Sequence, residues 1–130
     1  DQGAVSALPI FRVSTRLQSG LVETLYKNHV ADKTSWQAML KGSPDSVDLA
    51  ARRDALAVAC ADDIAALQQR FGLQAIQPIT DIPVQHIEYP VSEYPLKVKS
   101  FNLDKVPNIE GTLMGIKGQY LIFDTGVINI

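Results

Sequence analysis

The sequence has very little cysteine and histidine. Its single cysteine, Cys60, cannot form an internal disulfide, and with only His29 and His86 beside it the chain offers too few ligands for a closed Cys/His zinc site. No stretch of the 130 residues approaches the roughly 20 consecutive apolar residues that a membrane span needs, and no basic segment precedes a short apolar one at the start. We therefore predict a soluble, cytoplasmic protein with no structural metal and no membrane partner.

The sequence also lacks an excess of charge of one sign. The 12 Lys+Arg residues are balanced by 14 Asp+Glu residues, which gives a formal net charge of -2, and 46% of the residues are hydrophobic. This composition is typical of a globular chain and excludes extensive disorder. It excludes a basic surface over the whole molecule, while a local basic groove for nucleic acid remains compatible with it.

Both ends of the sequence are expected to be cuts through folded units of a longer protein. The chain begins at Asp1 rather than at a methionine. It stops at Gly126-Val-Ile-Asn-Ile130, whose apolar residues alternate as in a strand still in progress.

The first 72 residues predict an α/β region. A β-rich run over 7–13 precedes Ser14-Thr15, a cap for a helix whose apolar residues recur at spacings of three and four as far as His29. Residues 32–34 predict the start of a second, short helix, for which Gly42 is the stop and Pro44 lies just beyond.

A long amphipathic helix is predicted over about 46–71. Asp45 or Ser46 is its expected N-cap, and Gly72 is its expected end. Its apolar residues follow one another at spacings of 7, 4, 4, 3 and 4, and they are Leu49, Leu56, Cys60, Ile64, Leu67 and Phe71.

Short β runs separated by prolines occupy the rest of the chain. Hairpin turns are predicted at Lys117-Gly118 and at Asp124-Thr125-Gly126, where a positive φ is needed. The expected fold class is therefore α+β, with an α/β region over 1–72 and an antiparallel sheet or barrel-like region over 73–130. The predicted runs are 73–79, 84–91, 96–103, 111–116, 119–123 and 127–130.

Aromatic and basic residues interleave in this β region. Lys97, Lys99 and Phe101 alternate along one predicted strand and so share a face, with Leu96 and Val98 on the other. Such an arrangement stacks the bases and neutralises the phosphates of single-stranded nucleic acid. A solvated strand with no partner fits the same pattern.

A second group of candidate binding residues surrounds the first hairpin turn. The turn needs glycine, but its geometry does not require Lys117, Gln119 or Tyr120. Alternation places Gln119 and Tyr120 on opposite faces, so one is expected to pack and the other to be presented. The alternative is a purely structural hairpin.

Glu23 and Trp36 are the candidates in the first region. Glu23 lies outside the apolar face of its helix, so we expect it to be exposed and to face a concave surface shared with the 7–13 strand. Trp36 is expected to be buried on the face formed by Leu21 and Leu25. A stacking platform for nucleic acid is the alternative for Trp36.

Several stretches resemble the bacterial family catalogued as domain of unknown function 2797. They are Asp1-Gln-Gly-Ala4, Ala31-Asp-Lys-Thr-Ser-Trp36, Gly115-Ile-Lys-Gly-Gln-Tyr-Leu-Ile-Phe-Asp124 and Gly126-Val-Ile-Asn-Ile130. The resemblance spans essentially the whole chain. It implies that the chain is the C-terminal part of the family, namely the second half of a GIY-YIG nuclease-like domain followed by the family's own β region. A zinc-ribbon-like region would lie upstream of Asp1.

The resemblance carries one site residue of GIY-YIG nucleases into this chain. Gly20-Leu-Val-Glu-Thr-Leu25 is similar to the helix that bears their metal-binding glutamate, which implies that Glu23 holds Mg²⁺. The nuclease tyrosine and arginine would lie upstream, and Ser35 stands where an asparagine is expected. This fragment is therefore expected to be inert and to hold no cofactor itself.

Two functions follow from the residues and the resemblance together. The first is a nucleic-acid-binding or interaction protein with a GIY-YIG-like fold. The alternative is a Mg²⁺-dependent GIY-YIG-type phosphodiesterase acting on DNA or RNA, with cleavage in the full-length parent.

Overall fold

The computed structural model describes residues 3–31, 35–42 and 45–130, and its content confirms an α+β protein. The predicted helix start at 32–34 and the proline at position 44 lie outside these residues. In chain order the elements are β1 (Ser6–Ala7), β2 (Phe11–Val13), α1 (Arg16–Lys27), α2 (Trp36–Met39), α3 (Leu49–Ala59), α4 (Ala61–Phe71), a 3-10 turn (Leu73–Ala75), β3 (Ile76–Pro78), β4 (Gln85–His86), β5 (Leu113–Lys117), β6 (Tyr120–Phe123) and β7 (Val127–Asn129).

The chain forms two compact units, and each is assembled from separate stretches of sequence. We call the unit built from Ala7–Lys33 and Ser46–Gln85 the helical unit. The sheet unit is built from Asp1–Ser6, Thr34–Asp45 and His86–Ile130. No helix in the described ranges is long and apolar enough to cross a membrane.

The helical unit packs α1 and α4 around the antiparallel pair of β2 and β3. Thr15 caps α1 as predicted: its Oγ1 accepts from the backbone N–H of Gln18, and the Gln18 side chain accepts from the backbone N–H of Thr15. β2 and β3 pair with Val13 opposite Ile76. The buried core consists of Val22, Tyr26, Cys60, Ile64 and Ile76.

The prediction of one long helix is wrong, because the chain forms α3 and α4 with a break at Cys60. Cys60 has φ -102° and ψ 8°, outside the helical region. Hydrogen bonds still run from Cys60 N to Leu56 O and from Ile64 N to Cys60 O, so the apolar spacing continues across the break. The spacing therefore could not reveal it. The helix also begins later than predicted, because the N-cap is Asp48.

The sheet unit is organised around the antiparallel sheet β5-β6-β7. Lys117 pairs with Tyr120 across the first turn, where Gly118 has φ 58°, and Ile122 pairs with Val127. Tyr120, Ile122 and Val127 share one sheet face, and Met39 and Leu40 complete the same buried cluster.

The barrel-like alternative for this region is wrong for the described residues, which form sheets of two, two and three strands and no closed barrel. The predicted runs at 84–91 and 96–103 yield only β4 and single bridges at Val91 and Ser100. Pro90 and Pro95 lie in and between these runs. A proline has no N–H to donate to a ladder, and this limits pairing there.

Candidate functional site

Lys97 and Lys99 lie exposed along one segment of the sheet unit. Val98 between them packs against the buried cluster of this unit, so the alternation is inward for valine and outward for both lysines. Backbone bonds from Phe101 N to Val127 O at 2.9 Å and from Val127 N to Lys99 O at 2.8 Å tie the segment to β7. Leu96, predicted to share the inner face with Val98, is instead 95% exposed.

Phe101 is half-buried and packs on the second turn of the sheet. A side chain at Gly126 would collide with the Phe101 ring and would lie 2.7 Å from the carbonyl oxygen of Lys99. Glycine at this position therefore lets the ring and the lysine segment approach the turn. The Lys99 ammonium lies 5.2 Å from the centroid of the Phe101 ring, within the range of a cation–π contact.

A cavity of about 310 Å³ lies beside Lys97. Its lining residues include the aromatic Tyr94 and Phe123 and the charged Lys97, Glu93 and Asp124. Asp124 is already engaged, because its Oδ1 accepts from the backbone N–H of Thr112 at 2.8 Å. A cavity of this size is near the lower end of small-ligand sites.

Of the three residues around the first turn, only Gln119 is exposed. Tyr120 is 9% exposed, which confirms that one of Gln119 and Tyr120 is packed and the other presented. Lys117 does not lie on the predicted binding surface, because it is fully buried. The physical reason is register: Lys117 pairs directly with Tyr120, and paired residues project from the same face of a sheet.

The Lys117 ammonium is surrounded by polar groups of the sheet unit. It donates to the carbonyl oxygens of Met39 at 3.1 Å and of Gly42 at 3.2 Å. The ring centroids of Tyr89 and Tyr94 lie 5.8 and 5.0 Å from it. Burial lowers the pKa of Lys117 from its ordinary value, because desolvation disfavours the charged form.

Contrary to the prediction, Trp36 is not buried, and the sequence did not predict that it pairs with the ring of Tyr120. Its indole lies parallel to the Tyr120 ring, with centroids 5.7 Å apart and planes 7° apart. About a third of the residue remains in solvent, since it is 37% exposed. Tyr120 and Ile122 share a face of β6, and Ile122 lines the cavity beside Lys97. The Cα atoms of Tyr120 and Ile122 lie about 7 Å apart, because they are separated by two residues of strand.

Glu23 lies in the helical unit, at the wall of a separate cavity of about 450 Å³. It is exposed and shares this concave surface with Leu8, Phe11 and Val13 of the predicted strand, which confirms the predicted placement. Across residues 3–31, 35–42 and 45–130, no group of three His, Cys, Asp or Glu side chains could hold a metal. Glu23 therefore offers one carboxylate, and a Mg²⁺ ion there would take its other ligands from water and substrate phosphates.

No curated protein and no solved structure matches this chain. A family model does match it, and the match covers residues 1–130. The chain therefore belongs to the family described as protein of unknown function DUF2797.

Proposed function

We propose that the sheet unit binds single-stranded nucleic acid. Lys97 supports this proposal most directly, because it is exposed and also lines a cavity to which the aromatic residues Tyr94 and Phe123 contribute. Single-stranded nucleic acids are bound by aromatic rings that stack bases beside cations that neutralise phosphates. Lys99 supplies a second cation two residues further along the same segment.

The acidic residues of the cavity determine how the strand would be oriented. Glu93 and Asp124 line it, so a phosphate inside would be repelled. Carboxylates instead accept hydrogen bonds from amino groups of bases, as they do from cytosine N4. The proposal therefore places a base in the cavity and leaves the phosphates outside, beside Lys97 and Lys99. The exposed indole of Trp36 offers a further stacking surface along β6.

The test is direct binding of labelled oligonucleotides, followed by fluorescence anisotropy at low salt. Wild-type protein should bind single-stranded DNA or RNA more tightly than a duplex of the same sequence, because stacked duplex bases cannot enter the cavity. The Lys97→Gln/Lys99→Gln double variant should bind more weakly. Lys105→Gln is the matched control, since Lys105 is exposed in the same unit outside this segment. Absence of binding by the wild type would refute the proposal.

A second candidate function rests on the position of Glu23. We propose, as the alternative, a Mg²⁺-dependent phosphodiesterase whose full-length form has a GIY-YIG-like domain, of which this chain is the C-terminal part. The concave surface in front of the exposed Glu23 supports it. A Mg²⁺ ion bound there would stabilise charge on a leaving phosphate oxygen.

Cleavage by the full-length parent tests this alternative. Labelled single-stranded, duplex and branched nucleic acids should be cut with Mg²⁺ and left intact with EDTA. Glu23→Ala should abolish cleavage while changing stability by less than about 0.5 kcal/mol, as expected of an exposed residue. Glu88→Ala, at another exposed glutamate, should leave cleavage unchanged. Equal cleavage by the Glu23→Ala and wild-type proteins would exclude the metal role.

A further inference from the structure

Lys117 carries a buried charge that the proposed nucleic-acid interface does not use. It is the largest of the fully buried side chains, with 0% of its surface exposed. Transfer of an ammonium group out of water costs far more than transfer of an aliphatic side chain of similar length. An aliphatic residue could fill the same volume without this cost, so the particular partners of the ammonium group indicate what lysine does here.

Two of these partners belong to the C-terminal end of α2. Met39 is the last residue of that helix, and Gly42 lies in the turn after it; the carbonyl oxygens of both accept hydrogen bonds from the Lys117 ammonium. The last carbonyls of a helix have no partner within it, and a cation there is favoured by the helix dipole. Since α2 has only four residues, it cannot be stable by itself and depends on such tertiary contacts.

The other two partners are aromatic rings that lie beside the same ammonium group. The centroids of Tyr89 and Tyr94 are within the 6 Å at which a cation is attracted by a ring face. Tyr89 is itself fixed, because its hydroxyl donates to the carbonyl oxygen of Ala4 at 2.9 Å. The two rings and the two carbonyls together form what we call the ammonium site.

We propose that Lys117 is a positioning residue, whose buried ammonium holds α2 on the sheet and so keeps Trp36 stacked on Tyr120. Lys117 lies close in the fold to the elements that carry both residues of the stack. Trp36 precedes Met39 by three residues, or about 4.5 Å of helix rise. Tyr120 is the residue paired with Lys117 across the turn. Lys117 therefore donates a hydrogen bond to the end of the helix that carries Trp36 and pairs with Tyr120, the other member of the stack. This role is a property of the fold, and only its effect on binding rests on the proposed function.

Trp36 is the single tryptophan of the sequence, so fluorescence excited selectively at tryptophan reports on this site alone. In Lys117→Met, which keeps the length of the side chain and removes the charge, Trp36 emission should shift to the red and acrylamide should quench it more strongly. The near-ultraviolet circular dichroism of the stacked pair should weaken. Lys105→Met should leave all three signals unchanged. Wild-type signals in Lys117→Met would overturn the proposal.

Chemical rescue distinguishes the effect of the Lys117 charge from the effect of its side-chain volume. Lys117→Ala removes three methylenes and the ammonium group, which together correspond to n-propylammonium. Added n-propylammonium chloride should restore the Trp36 signals of Lys117→Ala, or its refolding if this variant unfolds, whereas 1-propanol and sodium chloride at equal concentration should not. Equal rescue by propanol and propylammonium, or rescue by neither, would overturn the proposal.

Oligonucleotide binding then distinguishes this inference from the proposed function. Lys117→Met should lose affinity through the displaced Trp36 and keep the salt dependence of the wild type, because the buried Lys117 cannot reach a phosphate. If wild-type protein does not bind nucleic acid, the proposed function fails, and the fluorescence and rescue results still decide the role of Lys117.

Discussion

Lys99 and Lys117 both belong to the sheet unit, but their surroundings give their charges different roles. Lys99 is exposed, and its ammonium lies over the half-buried ring of Phe101, where it is available to a phosphate. Lys117 is fully buried, and its ammonium is held by Met39, Gly42 and two tyrosine rings. The first lysine can recognise a partner, and the second can only organise the fold.

The buried lysine predicts a specific dependence of stability on pH. Burial lowers the pKa of Lys117 below 10.5 in the folded protein, whereas the unfolded chain keeps its proton up to about that value. Between these two pKa values the unfolded state binds more protons, so the contribution of Lys117 to the free energy of unfolding rises with pH. Below the folded pKa this contribution is constant.

Urea unfolding measures this effect. The unfolding of the wild type and of Lys117→Met is monitored by Trp36 fluorescence at pH values from about 7 to about 10.5. The difference in unfolding free energy should move in favour of the wild type as the pH rises. Burial also raises the pKa of Tyr26 and of Cys60, with a smaller effect of Asp63 on Cys60, but both proteins share these groups and their effects cancel. A difference that stays constant with pH would contradict the prediction.

Gly115 and Gly20 predict opposite effects of the same substitution. A Cβ at Gly115 would lie 2.7 Å from the Cα of Val91, so Gly115→Ala should destabilise by about 1–3 kcal/mol through overpacking. A Cβ at Gly20, inside α1, would meet nothing within 4 Å, so Gly20→Ala should stabilise by about 0.5–1 kcal/mol. Thermal unfolding measures both, and equal shifts in one direction would contradict the packing described for Gly115.

At the scale of elements, local pattern predicted the helices and strands better than their exact limits. The cap of α1 at Thr15 and the strands β5, β6 and β7 follow from capping residues and apolar alternation. The break at Cys60 does not, because it changes one pair of backbone dihedrals while apolar spacing and hydrogen bonds continue. The prediction of helices rests on the periodicity of apolar residues, and one residue with non-helical dihedrals leaves that periodicity almost unchanged.

The start of α3 gives a prediction at this scale. The Asp48 carboxylate accepts from the backbone N–H of Ala51 at 2.9 Å, so Asp48→Ala should cost about 1 kcal/mol of stability. Asp45, one of the two caps that the sequence predicted, is exposed and lies three residues before Asp48. Asp45→Ala should change stability by less than about 0.5 kcal/mol. Urea unfolding measured by far-ultraviolet circular dichroism compares the two variants, and an equal loss in both would show that Asp48 is not the dominant cap.

For the whole molecule, the sequence predicted the α+β class but could not predict how separate stretches assemble. β2 pairs with β3, although helices α1 to α4 lie between them in the sequence. The carbonyl oxygens that accept hydrogen bonds from Lys117 belong to residues 75 and 78 positions away in the chain. The sequence pattern placed Lys117 in a turn, whereas it is the last residue of β5 and pairs with Tyr120, so neither this register nor the distant carbonyls could be predicted from the local pattern. The exposed placement of Glu23, Lys97 and Lys99 was predictable, because charged side chains are mostly exposed and the local pattern agreed with this, whereas the same pattern wrongly placed Leu96 inward.

The salt dependence of oligonucleotide binding tests the central claim most directly. The proposal predicts that the wild type binds a single-stranded oligonucleotide and that log K falls linearly with log salt concentration. The Lys97→Gln/Lys99→Gln double variant should have a slope shallower by about 0.7 for each phosphate that the removed lysines neutralise in the wild type, whereas Lys117→Met should keep the wild-type slope. A double variant with the wild-type affinity and slope would contradict the account.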